Sequence, residues 1–366
     1  MKHRTVWFIL SAALLLIIFT GCHNKNRHQS EPDMMLGVKI YNIDSELKPL
    51  FKEWDDLGIN TVLASPSVIN DQFKALAEKH NIKIFLILPV FYNPDILKAV
   101  PDMYAITDKG EKAVDDWVEF VCPSREGYRK TKIEEIVRLV KDLDPDGISL
   151  DFIRYFCFWE KVYPDRNPDS IPNTCFCNVC IKKFQSDKNI SIPASLENVN
   201  DIAKWITENH LADWTDWKCN LISKVVSETV YAVKQVKPEI MVNLHIVPWR
   251  NDDFNNAIRR IVGQDISALA EYADMISPMT YSHMLKREPE WIQSVVKDIN
   301  SQVNCKVIPS IQVNEAYLAD MLTDEEFEQT IIEALKPPSS GVFFWSWEQL
   351  EQKPSKKEIV RKVLSH

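Results

Sequence analysis

The stretch DGISLDFIRYFCFWE, Asp146 to Glu160, decides how this chain is read. Between Gly147 and Ile153 only Ser149 and Asp151 are polar, and the stretch reads as a buried strand. Where such a strand should end come a carboxylate (Asp151), a guanidinium (Arg154), a tyrosine (Tyr155) and a run of aromatics. Seven further apolar runs share this character: MLGVKIY from Met35, INTVLAS from Ile59, IKIFLILPVF from Ile82, IMVNLHIV from Ile240, DMISPMTY from Asp274, KVIPSIQV from Lys306 and GVFFWSW from Gly341. Most are followed by apolar residues at helical spacing, as in Leu47, Leu50, Phe51, Trp54 and Leu57, or in TDEEFEQTIIEAL, where Thr323 and Glu326 have capping-box spacing. The alternation predicts an α/β protein, a (β/α)8 TIM barrel in a single domain. A doubly wound open sheet is the competing architecture, but the first strand lacks the glycine-rich turn that such folds use for dinucleotides.

The barrel is expected to fill residues 34–366. Before it, MKHR supplies positive charge, TVWFILSAALLLIIF an apolar core and Gly21 a small residue before Cys22. This resembles a bacterial lipoprotein signal peptide over residues 1–22, with Cys22 as the lipidated residue. An uncleaved anchor helix is the weaker reading, because the apolar run is short for a full span. Residues 23–33 read as a polar tether. The expected location is therefore the cell envelope of a bacterium, held to a membrane by lipid alone.

Lys plus Arg number 43 against 52 Asp plus Glu, a net charge of -9. No basic stripe is present to neutralise phosphates, which argues against a nucleic-acid partner. Only 8 glycines in 366 residues argue against disorder and phosphate-binding loops. Two loops are long, Tyr92 to Arg129 after the third strand and an insertion over residues 155–205 after the fourth. Both follow strand C-termini, where barrel enzymes build their sites.

In a barrel the residues closing each strand converge on one mouth. Here they include Tyr41, Ser65, Tyr92, Asp151, Arg154, Tyr155, Asn243, His245, Trp249, Tyr281, Gln312, Glu315, Trp345, Trp347 and Glu348. Aromatic faces cover the apolar side of a pyranose, amides and hydroxyls take its hydroxyl groups, and paired carboxylates act as acid and as nucleophile or base. Asp151 is the first catalytic candidate, Glu315 its expected partner and Glu348 the reserve. The other residues, Ser65 apart, are substrate-binding candidates, while Asp151 also has a bland reading as a salt-bridge partner of Arg154.

DGISLDFIRY resembles the fourth-strand signature of glycoside-hydrolase-like barrel proteins, and DMISPMTYS the sixth strand of the same group. The resemblance spans about Met35 to Val363 and implies a carbohydrate substrate. Two departures matter. The catalytic glutamate of family 18 chitinases is replaced here by Ile153, and the Asn-Glu that follows the strand aspartate of family 42 β-galactosidases is replaced by Phe152 and Ile153.

Leaving Cys22 aside, seven cysteines remain. NTCFCNVC sets Cys175, Cys177 and Cys180 close enough to surround one ion, and Cys122 or Cys157 could supply a fourth thiolate. Cys122 with the C-x-C-x-x-C is similar to the structural zinc site of family 42 β-galactosidases. Disulfides are the alternative in an oxidising compartment, although an odd number of thiols does not pair fully. A four-sulfur zinc would be structural, leaving no cofactor for catalysis.

The expected function is hydrolysis of an oligo- or polysaccharide by carboxylate acid/base catalysis. Carboxyls about 5 Å apart would retain the anomeric configuration and those about 6.5 to 9.5 Å apart would invert it, while a substrate-assisted route would need Asp151 alone. The alternative is a carbohydrate-binding lipoprotein that has lost catalysis. A metal-dependent deacetylase is the weakest reading, because His245 is isolated.

Overall fold

Proline has no backbone N–H to give to a sheet ladder, and Pro309 divides the seventh apolar run into two short strands. The computed structural model describes residues 34–364, which lie in one compact unit; the stretches expected to be a signal peptide and a tether fall outside the described residues. Nine strands form one parallel sheet: β1 (Met35–Ile40), β2 (Thr61–Ala64), β3 (Lys83–Pro89), β4 (Gly147–Asp151), β5 (Met241–Ile246), β6 (Met275–Pro278), β7 (Lys306–Val307), β8 (Ser310–Gln312) and β9 (Gly341–Trp345). Their order is β8-β9-β1-β2-β3-β4-β5-β6-β7. The two halves of the seventh run thus stand at opposite ends of that order. Ile308 N–H donates to Ile276 O at 2.9 Å, Phe343 N–H donates to Pro309 O at 3.0 Å, and Met279 bridges Ser310 in parallel. The sheet is therefore strongly curled.

Side chains alternate across a strand. The inner set includes Met35, Leu63, Phe85, Ile87, Met275, Ile308 and Phe343, a small apolar cluster separate from the main core. Two glycines are required beside its aromatic rings: a Cβ at Gly147 would lie 2.2 Å from the Phe85 ring, and one at Gly37 would lie 2.6 Å from that of Phe343. The outer faces pack against helices such as Leu47–Asp56, Glu126–Leu143, Leu211–Lys234, Glu290–Asn300 and Asp324–Leu335. Thr323 caps the last of these, its hydroxyl accepting from Glu326 N–H at 3.1 Å. No helix among the described residues is long and apolar enough to cross a membrane.

Both long loops are built structures. The first carries the helix Pro94–Ala99 and a hairpin pairing Val114–Asp115 with Val118–Glu119. The second carries a 3-10 turn at Trp159–Lys161 and the helices Asn178–Lys188 and Val199–Asn209.

Candidate active site

Above the apolar cluster the inner face turns polar. Asn243 Nδ2 donates to Ser149 Oγ at 2.8 Å, Ser277 Oγ donates to Asn243 Oδ1 at 2.8 Å, and Ser149 Oγ lies 3.0 Å from His245 Nε2. Burial, helped by the Lys39 charge, pushes the His245 imidazole down to about 3. It is therefore neutral at physiological pH.

Over this layer opens a cavity of about 520 Å³, within the usual range of roughly 300–1,000 Å³ for small-molecule sites. Its wall at the strand ends includes Lys39 and Tyr41 of β1 and the residue after it, Ser65 after β2, Tyr92 after β3, Asp151 of β4 and Trp345 of β9. Arg154, Trp159, Glu160 and Tyr281 add to its polar and aromatic lining.

Asp151 is the last residue of β4 and is largely buried. The chain turns sharply behind it: Phe152 has φ +50°, a left-handed conformation that aromatic residues rarely adopt and that concentrates at functional positions. In this turn Phe152 N–H donates to Asp151 Oδ1 at 2.7 Å, and the Phe152 ring stacks on Tyr92 with centroids 4.9 Å apart. The carboxylate is thus held by its own strand end.

Two further carboxyls line the cavity: Glu135, on the helix Glu126–Leu143 and ion-paired with Lys132 at 3.0 Å, and Glu160, in the 3-10 turn Trp159–Lys161 and paired with no lysine at such a distance among the described residues. Burial raises the pKa of Glu160 to about 7; the Arg154 guanidinium opposes that shift, while the Asp151 charge adds to it. Glu160 Oε2 has no hydrogen-bond partner among the described residues. Two carboxyls in one cavity with unlike surroundings are the arrangement that separates an acid from a base.

Lys39 is 1 % exposed. Its Nζ donates to Tyr281 OH at 3.2 Å, and burial lowers it to about 8 against the opposing pull of Asp151. Tyr281 stacks on Trp345, centroids 4.7 Å apart, and lies 5.8 Å from Trp159, giving one wall a continuous aromatic surface. Arg154 binds the backbone of its own loop, its Nη1 donating to Cys157 O at 2.8 Å and to Tyr155 O at 3.2 Å.

Of the residues expected from sequence, Tyr41, Ser65, Tyr92, Asp151, Arg154, Tyr281 and Trp345 meet in this cavity. Others stand elsewhere. Glu348 Oε1 accepts Tyr41 N–H at 2.6 Å and Asn42 N–H at 2.9 Å, terminating β1. Glu315 accepts Leu322 N–H at 2.9 Å, and backbone donors with Lys353 and Lys356 hold its pKa below the ordinary range against a burial effect that raises it. Asn243 and His245 belong to the polar layer beneath the cavity. Gln312 is occupied with Met284 N–H and Asn314 O. Tyr155 is buried under Lys218, whose Nζ lies 4.6 Å from its ring centroid. Trp249 packs on Phe254 and Trp347 on Trp54. Lys39, Trp117, Trp159, Glu160 and Tyr317 line the cavity without having been singled out from sequence.

Cys122, Cys175, Cys177 and Cys180 are buried with their sulfurs within 4.8 Å of one another. Cys122 Sγ lies 3.4 Å from Cys180 Sγ and 3.5 Å from Cys177 Sγ. These separations exceed the roughly 2.05 Å of a disulfide. They suit four thiolates around an ion at about 2.3 Å each. Cys122, rather than Cys157, completes the set. The cluster joins the two long loops.

Solved structures that share this fold include glycoside hydrolases. The glycoside hydrolase domain of PgaB (BpsB) from Bordetella bronchiseptica aligns with TM-score 0.67 at 13 % identity, over 90 % of this chain and 98 % of that one. A β-galactosidase from the psychrophilic Marinomonas ef1 aligns with TM-score 0.68 at 12 % identity, over 91 % of this chain and 59 % of its own. Gan42B, a GH42 β-galactosidase from G. stearothermophilus, gives TM-score 0.62 at 13 % identity, over 91 % of this chain and 56 % of its own. This chain thus spans nearly all of the Bordetella domain and a little over half of these two galactosidases. No protein-family model matches the sequence, and no curated protein matches it by sequence.

Proposed function

We propose that this protein is a glycoside hydrolase whose acid/base pair is Asp151 and Glu160. The observation that carries the reading is the presence of these two carboxyls in one cavity, with Glu160 poised near neutrality by burial. Asp151, beside Lys39 and capped by Phe152 N–H, serves as nucleophile or base. Glu160 protonates the departing glycosidic oxygen. Tyr281, Trp345 and Trp159 offer sugar-stacking faces, and Arg154 keeps positive charge near both carboxyls.

The curled sheet reads as a closed (β/α)8 barrel in which β7 and β8 are one strand interrupted at Pro309. The supporting contacts are the β6–β7 and β8–β9 pairings and the Met279–Ser310 bridge. A zinc ion on Cys122, Cys175, Cys177 and Cys180 is proposed as a structural staple between the two long loops. Its closed thiolate set leaves no position for substrate. Lipid attachment at Cys22 in a bacterial envelope completes the proposal, resting on the sequence before residue 34.

The test is hydrolysis of a panel of bacterial and plant polysaccharides by the full chain and by Asp151→Asn. Products from the parent and none from the variant support the assignment. Glycan binding without cleavage by either protein would identify a binding protein instead.

A further inference from the structure

We propose that this site takes the end of a glycan chain rather than its middle, because a side-chain bridge spans the mouth. The inference rests on the glycosidase reading above. Trp117 occupies the tip of the hairpin that follows β3, and Tyr317 lies in the loop that follows β8. Trp117 Nε1 donates to Tyr317 OH at 2.7 Å. In the sheet order β9, β1 and β2 stand between those two strands, so the hydrogen bond joins loops that the sheet itself does not bring together. Both residues line the cavity, yet Trp117 is 41 % and Tyr317 39 % exposed. Each ring therefore has one side toward the cavity and another toward solvent, as in a roof.

The bridge is anchored at both feet. Tyr317 meets Phe158 edge-on, centroids 5.3 Å apart, and Trp117 packs edge-on against Tyr92 at 5.6 Å and Phe158 at 6.1 Å. Lys161 sits 4.3 Å from the Phe158 ring centroid and pairs with Asp116 beside Trp117 at 3.3 Å. Three loops, after β3, β4 and β8, are knitted together around Trp117, Phe158 and Tyr317. A polymer cut at an internal bond would have to lie across this roof or have it opened. A chain terminus enters beneath it, and the aromatic underside offers stacking to the ring that follows the cleaved bond.

The test compares the full chain with Trp117→Ala and Tyr317→Phe on soluble galactan, xylan, glycol chitin and carboxymethylcellulose. It follows viscosity, reducing ends and product length together. The parent should release products of one short length from the earliest times, with viscosity lagging behind reducing ends. The variants should shift toward mixed lengths, with viscosity falling several-fold further per bond cleaved. Tyr317→Phe keeps the ring and removes the hydrogen-bonding hydroxyl, so it guards against a variant that fails to fold. Internal cutting by the parent, or an unchanged pattern in both variants, would overturn the chain-end inference while leaving the glycosidase reading intact. No cleavage of any glycan by the parent would remove both.

Discussion

Glu160→Gln should make the protein more resistant to alkali while it damages catalysis. Burial moves the Glu160 carboxyl from an ordinary 4.5 to about 7. At about 1.4 kcal/mol for each tenfold change in proton affinity, this amounts to about 3 kcal/mol. The sign follows from proton linkage: the folded state holds this proton more tightly than the unfolded chain does. The contribution is fully present below about pH 4.5 and is lost as pH rises through about 7. Glutamine keeps the shape without the ionisation. Urea unfolding of parent and variant at pH 4.5, 6 and 8 measures the effect without any substrate. The stability of the variant relative to the parent should rise by about 3 kcal/mol between the first and last pH. A difference between the two proteins that stays constant across that range would refute the assignment of a buried, proton-holding Glu160.

Three other outcomes are expected. On any glycan the parent cleaves, kcat/KM should fall about tenfold per pH unit above about 7, as Glu160 loses its proton; a flat profile to pH 9 would exclude it as the acid. Metal analysis should find one zinc per chain, and a chelator should lower the melting temperature, with activity lost only as the fold is lost; a chelator that stopped catalysis in a folded protein would contradict a structural site. Gly147→Ala should cost about 1–3 kcal/mol, the range for overpacking, because the added carbon would meet the Phe85 ring; unchanged thermal and urea unfolding would show that the ring can move aside.

The sheet was legible because parallel strands buried on both faces leave continuous apolar runs. Only the seventh needed its proline weighed: KVIPSIQV contains the interruption in plain view, but the lost ladder hydrogen bond acts only once neighbouring strands are aligned. Asp151 was legible for a related reason, as a carboxylate closing such a run. Glu160 was not, although it ends the same quoted stretch. Nothing periodic links it to β4, and only the 3-10 turn and the packing of Trp159 bring it back to the cavity. Glu315 and Glu348 look equivalent to Asp151 in sequence, each following a strand. The difference is where they are held: the N–H groups of Tyr41, Asn42 and Leu322 keep these two carboxylates out of the cavity lining, whereas Asp151, held by Phe152 N–H, is part of it. Lys39 did leave a signal, since it shares the inward parity of Met35 and Tyr41 in MLGVKIY.

The pairing of Asp151 with Glu160 is tested most directly by the hydrolysis rates of Asp151→Asn and Glu160→Gln on the first glycan that the parent cleaves, with thermal unfolding of each protein as the control for folding. Both variants should lose at least about a hundredfold in rate while remaining folded. A folded variant of either kind that works at the parent's rate would contradict the pairing.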